Sequence, residues 1–268
     1  MNPESSTSLL HEPGGDRAMK LLQQAVARVR PAAFFHRVHP LNRPKKLLQV
    51  QSAFQGIVSP FRYSSNRTAV FPAMDPDINR TISFWFNGPT ERWFRPPEEF
   101  DNEIRDSFGA LISKARTNSL DSWADDARGG LALLLLLDQF PRNIYRGSDE
   151  AHASDAKACS VAVKAIAQGH DHQVDHLQAL FFYLPLMHDE QLVSQIAGIA
   201  LIENLAARCP PNSEAASFVN RSAGFAKGHR DVILKFGRYP SRNKVLGRES
   251  TEEEKKFLEQ NPSGFFAE

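Results

Sequence analysis

Two histidines, two carboxylates and a set of arginines are the residues whose types and spacing could do chemistry in this 268-residue chain. His229 follows Phe225 by four and precedes Val232 by three and Phe236 by seven, which puts it on the apolar face of a helix. Histidine changes charge near neutral pH, so His188, in Met187-His-Asp-Glu190, would complete an acid/base pair if placed opposite His229. Asp231 lies about 200° around the helix from His229 and cannot orient it. An orienting carboxylate must come from elsewhere in the chain, with Asp138, Asp189 and Glu190 the obvious candidates. The candidate catalytic residues are therefore His229, His188, Asp138 and Glu190. Arg142, Arg146, Arg238, Arg242 and Arg248 all fall in turns that follow apolar helices. Guanidinium forks grip carboxylate or phosphate in a bidentate way, so converging arginines would hold an anionic small molecule. Gln139, Asn143, Asn243 and Trp93 join Arg142, Arg146, Arg238 and Arg242 as candidate substrate-binding residues. The competing reading pairs these arginines with carboxylates such as Asp138 and Asp155, pinning loops instead.

Other chemistries find less support. His172 and His176 are four apart, a zinc-ligand spacing on a helix, but Gln173 stands where a zinc protease carries glutamate. No metal is expected. Cys159 and Cys209 lack a local base, and neither a G-x-S-x-G elbow nor a phosphate-cradling glycine loop occurs. No cofactor is implied. Two cysteines do not make a disulfide framework and fit a reducing compartment.

The elements that must position these groups centre on Gly129 to Gly147, GGLALLLLLDQFPRNIYRG, where the most apolar run of the chain leads straight into polar residues. Leu131 to Leu137 is far short of the roughly 20 apolar residues of a membrane span and reads as a buried helix. Pro141 is expected to stop it near Gln139 or Phe140. Upstream, Ile78, Ile82, Trp85 and Phe86 recur at helical spacing before Asn87-Gly88-Pro89, and Phe100, Ile104, Phe108, Leu111 and Ile112 form a second stripe from about Pro97. Downstream, helices are expected over Asp149 to Gln168, from about Val174 to a stop at Pro185, and over Asp189 to Ala207 with Leu192, Ile196, Ile199 and Leu205 inward. A long helix capped by Asn212 or Ser213 follows, with Phe218, Phe225, Val232, Ile233 and Phe236 inward. A short one opens on the capping-box pattern Ser250-Thr-Glu-Glu-Glu254. Period-two alternation is absent. The body is predicted to be all-α, with roughly eight helices.

Charge divides the chain. Arg17 to Met74 holds ten Lys or Arg and no acid, whereas Asp75 to Glu268 carries a net charge of −6. Residues 1–74 have the composition of a mitochondrial transit segment, and Phe61-Arg-Tyr-Ser-Ser65 resembles a matrix-protease site. Matrix import is expected if that leader is used, and a cytoplasmic body if translation starts at Met74. Residues 75–268 form the expected domain. It has no basic stripe for nucleic acid and no membrane span.

Several long motifs resemble the DUF924 family over about residues 78–265. They are FWF at 84–86, WF at 93–94, FDNEIRDSF, LALLLLLDQFPRNIYRG, FFYLPLMHDEQ and HRDVILKFGRYPSRNKVLGRESTEEE. The resemblance implies an all-α, tetratricopeptide-like fold and no established reaction. It also implies recurrent polar positions at Asp138, Gln139, Arg142, Asn143, Arg146, His188, Glu190, His229, Arg230, Asp231, Arg238, Arg242 and Asn243. Ser241 departs from it, standing where the family commonly has histidine. Two functions compete on this basis. One is a small-molecule enzyme or ligand-binding protein with an Arg/His/Asp-lined pocket for an anionic metabolite. The other is a non-catalytic helical module that binds a protein partner.

Overall fold

The computed structural model describes residues 75–93 and 96–261. The leader and Phe94, the second residue of the WF motif, lie outside the described residues. Every regular element among the described residues is helical.

Helix α1 (Pro76–Phe86) is capped by Asp75, whose carboxylate accepts from the Asp77 amide. Helix α2 (Glu98–Arg116) opens with three acids at its positive end. Their apolar faces meet in one core, where Trp85, Phe108 and Phe140 are buried and Phe84 stacks on Phe100 at 5.0 Å. Helix α3 (Ala127–Leu134) begins at Asp126, which accepts from the amides of Arg128 and Gly129. Gly129 is required by close approach, since a Cβ there would lie 2.2 Å from the Trp123 carbonyl oxygen. Leu131 to Leu137 are all buried, as a central core helix demands. Each such leucine contributes roughly 1.5–3 kcal/mol on burial.

Pro141 does not end this rod. The chain widens into a π turn, Leu135–Gln139, and resumes as α4 (Phe140–Ile144) with Pro141 in its first turn. The Phe140 amide bonds back to the Leu135 carbonyl, five residues away. That wider register accommodates a proline ring, which would clash with the carbonyl four residues back in an α-helix.

Helix α5 (Asp155–Gln168) buries Ala158, Ala162 and Ala165, and starts later than expected because Asp149–Ala151 forms a separate 3-10 turn. The single helix expected before Pro185 is two short ones, α6 (His176–Leu180) and α7 (Leu184–His188). Pro185 opens the second, where its missing amide costs nothing. His188 accordingly ends a helix, rather than lying between the stop expected at Pro185 and the helix expected from Asp189. Helices α8 (Leu192–Arg208) and α9 (Glu214–Phe236) pack along each other. Ser213 caps α9, and Gly237 at φ +69° closes it. Leu192 and Ile196 are exposed rather than inward, as is Phe225 at 57%.

Helix α10 (Glu252–Gln260) carries the expected capping box between Thr251 and Glu254. Glu254 also takes both forks of Arg238, at 2.7 and 2.8 Å, and that partner above all holds its carboxyl down at about 2. A carboxyl depressed in the fold stabilises above its ordinary value of 4.5 and loses that contribution as pH falls towards about 2. Acidification through this window is therefore expected to loosen α10 before the core. Amide exchange checks this, and Glu254→Gln should loosen α10 already at neutral pH.

Candidate functional site

The π turn delivers Asp138 and Gln139 to the base of a cavity of about 940 Å³. Asp138 is buried, and its Oδ1 lies 2.7 Å from His188 Nδ1. Its Oδ2 accepts from Gln139 Nε2, and Arg142 Nη1 approaches Oδ1 at 3.2 Å. Burial pushes the Asp138 carboxyl up, but His188 and Arg142 outweigh it, so the group sits below the usual carboxylate range and is ionised. An ionised carboxylate only accepts, so His188 Nδ1 is the donor and, in the neutral ring, Nε2 carries the lone pair.

The His188 backbone is clamped as firmly as its ring. The carbonyl of Met187 accepts from the Tyr239 hydroxyl at 2.6 Å and from Gln195 Nε2 at 2.7 Å. That of His188 accepts from Arg242 Nη1 at 2.9 Å, and that of Asp189 from Gln195 Nε2 at 2.6 Å. These are carbonyls that the end of α7 leaves without helical partners. Burial keeps the Tyr239 phenol protonated and able to donate. Across the cavity, His229 donates from Nδ1 to the Phe225 carbonyl at 3.0 Å, and its ring centre lies 6.4 Å from that of His188.

Asp155 links the two sides of this arrangement. Its oxygens take Arg142 at 2.8 and 3.0 Å, and Arg242 approaches one of them at 3.4 Å. The carboxyl is held low by both guanidinium groups despite its burial. On α2, Asp101 takes Arg146 at 2.8 Å and Asn143 Nδ2 at 3.1 Å.

Of the residues singled out from sequence, Trp93, Gln139, Arg142, Asn143, Arg146, His188 and His229 line the cavity, and Asp138 lies directly behind His188. The remaining candidates do not line it. Glu190 binds Arg248 at 2.6 and 3.0 Å and accepts from the Tyr239 amide, so it anchors the 238–248 loop rather than moving protons. Arg238 and Asn243 both converge on Glu254, and Arg242 lies behind His188. The arginines thus do not converge on an empty focus. Arg142 and Arg242 face Asp155, because buried cations must find carboxylates, and the half-exposed Arg146 pairs with Asp101. Ser241 is exposed, away from the cavity.

His172 and His176 do not share a helix. His172 lies in a 3-10 turn, with Nδ1 2.6 Å from Arg208, and His176 starts α6. Among the described residues no group of three potential ligands is arranged for a metal ion. The Cys159 thiol donates to Asp189 Oδ2 at 3.8 Å, and burial pushes it up to about 12, which leaves it protonated at neutral pH. Sequence reasoning missed Tyr239 and Gln195, which act from behind the cavity, and Arg221 and Ser222 in its wall, whereas Asp155 takes the arginine-pairing place the competing reading gave it. Only the α9 spacing of Ser222 to His229 could have flagged that wall.

Fold and site together define an all-helical protein whose polar cavity floor rests on a π turn. The family described as bacterial protein of unknown function (DUF924) matches residues 81–262, and the chain belongs to that family. It is similar to the solved structure of a protein of unknown function from Agrobacterium tumefaciens, at 36% identity and a TM-score of 0.61. That match covers 68% of this chain and 97% of the other. Comparison with curated proteins finds no match. No helix among the described residues is long and apolar enough to cross a membrane.

Proposed function

We propose that this domain is a small-molecule enzyme that moves protons within the cavity. His188 takes a proton at Nε2 while Asp138 stabilises the imidazolium, and His229, entering the cycle as the imidazolium with its Nδ1–H on the Phe225 carbonyl, gives its Nε2 proton and is left neutral. The observation that carries this reading is the 2.7 Å contact between buried, ionised Asp138 and a histidine that lines the cavity. At 6.4 Å between ring centres, one bound atom can lie within hydrogen-bond reach of both histidines.

The pocket expected for an anionic metabolite is harder to support, because Arg142 and Arg146 already face carboxylates. Import by the leader stays part of the proposal through its composition alone. The rival, a protein-interaction module, draws support from exposed Phe225 at 57%, Ile196 at 55% and Leu234 at 64%.

Incubation with a metabolite extract, followed by mass spectrometry, tests the proposal. At least one compound should be converted by the wild type and not by His188→Ala. Identical profiles would favour the interaction module.

A further inference from the structure

The charges and amide orientations of the cavity floor specify what kind of head group it accepts; this rests on the proton-transfer reading of the same cavity. Gln139 turns its Nε2 towards the Asp138 carboxylate, and Asn143 turns its Nδ2 towards that of Asp101, at 3.1 Å. Carboxylates only accept, so these amide orientations are chemically forced. Each carbonyl is left on the other side: no donor among the described residues reaches Gln139 Oε1 or Asn143 Oδ1, and both residues line the cavity. His188 turns Nδ1 towards Asp138, and in its neutral ring Nε2 is a third acceptor.

The cations beside these acceptors are neutralised. Arg142 faces Asp155 and Asp138, and Arg146 faces Asp101. At the mouth, Glu91, Glu99 and Glu103 outnumber Arg92 and Arg221. Arg92 is itself packed over the Phe100 ring at 4.9 Å with its Nη2 on the Phe84 carbonyl, which makes it part of the wall. The wall above the floor is apolar, formed by Trp93, Phe100, Leu184, Met187 and Phe218.

We infer that the cavity takes an apolar or aromatic molecule that presents a hydrogen-bond-donating head, an amine, amide N–H or hydroxyl, to Gln139, Asn143 and His188. A carboxylate or phosphate head would meet three acceptors on the floor, where Arg142 and Arg146 already face carboxylates. A donor head would satisfy groups that are costly to leave unmatched. It would also place its own proton at His188 Nε2, the atom that removes it in the proposed reaction.

Benzylamine, benzamide and benzoate share one ring and differ only in the head, so they separate the cases. The full chain is titrated with each to millimolar concentration, with the imidazole NMR signals of His188 as readout. Benzylamine and benzamide are expected to move those signals and to bind at least about tenfold tighter than benzoate, a difference of about 1.4 kcal/mol. Benzoate binding as tightly or more tightly would overturn the inference while leaving the cavity as a ligand site. If all three leave His188 unmoved, both the inference and the proposed function fall.

Discussion

Asp155→Ala is expected to cost about 3–5 kcal/mol of stability, because it leaves two largely buried guanidinium groups without a shared counter-charge. The Arg142 and Arg242 side chains are only 9% and 7% exposed, and Asp155 itself 16%. Asp138 remains for Arg142, whereas Arg242 keeps the His188 carbonyl, the Tyr239 ring at 4.4 Å and the more distant charge of Glu190. Chemical denaturation measures the cost, and the melting temperature should drop by roughly 10 °C for a domain of this size. The second variant is the control. Arg142→Met combined with Asp155→Leu should recover part of the loss, since an apolar pair of similar volume avoids the desolvation of both charges. A loss below about 1 kcal/mol for Asp155→Ala would mean the contact behaves as an ordinary surface pair.

The other large effect concerns turnover. His188→Ala should lower the rate of any reaction in the cavity by about 10²–10⁴, the usual contribution of general acid–base catalysis. Asp138→Asn should approach the same loss while leaving the cavity wall nearly intact. An asparagine can present its amide to His188 Nδ1, which moves the ring proton to Nε2 and removes the acceptor that faces substrate. Equal turnover in the wild type and Asp138→Asn would assign the pair a purely structural role.

Helix positions were legible in the sequence wherever apolar spacing was sustained, as in Phe100 to Ile112. The buried Leu131–Leu137 run was equally clear. Reasoning failed where local rules admit two outcomes. Pro141 and Pro185 read as stop signals, yet one sits behind a π turn and the other opens a helix; neither register is visible in a one-dimensional pattern. Leu192 and Ile196 kept the right periodicity and the wrong side, because which face of α8 is covered depends on partners far along the chain, whereas Phe225 shares the His229 face and is exposed where that face lines the cavity.

Half of the site was similarly open to view. Asp138 and His188 were recognisable beside apolar helix ends, and His229 from its place on the apolar face of a long helix. The arginine cluster misled, since a guanidinium that binds substrate and one that pins a loop share the same sequence signature. Asp155 shows why: 87 residues separate it from Arg242, and only the folded chain brings them together.

The central claim is that Asp138 fixes His188 as a base whose Nε2 opens onto the cavity. Long-range nitrogen–proton NMR of the full chain, with His188 assigned by its loss in His188→Ala, reads the tautomer directly. The account predicts a neutral ring protonated at Nδ1 and bare at Nε2, switching to the Nε2-protonated form in Asp138→Asn. A wild-type ring already carrying its proton on Nε2 would contradict it.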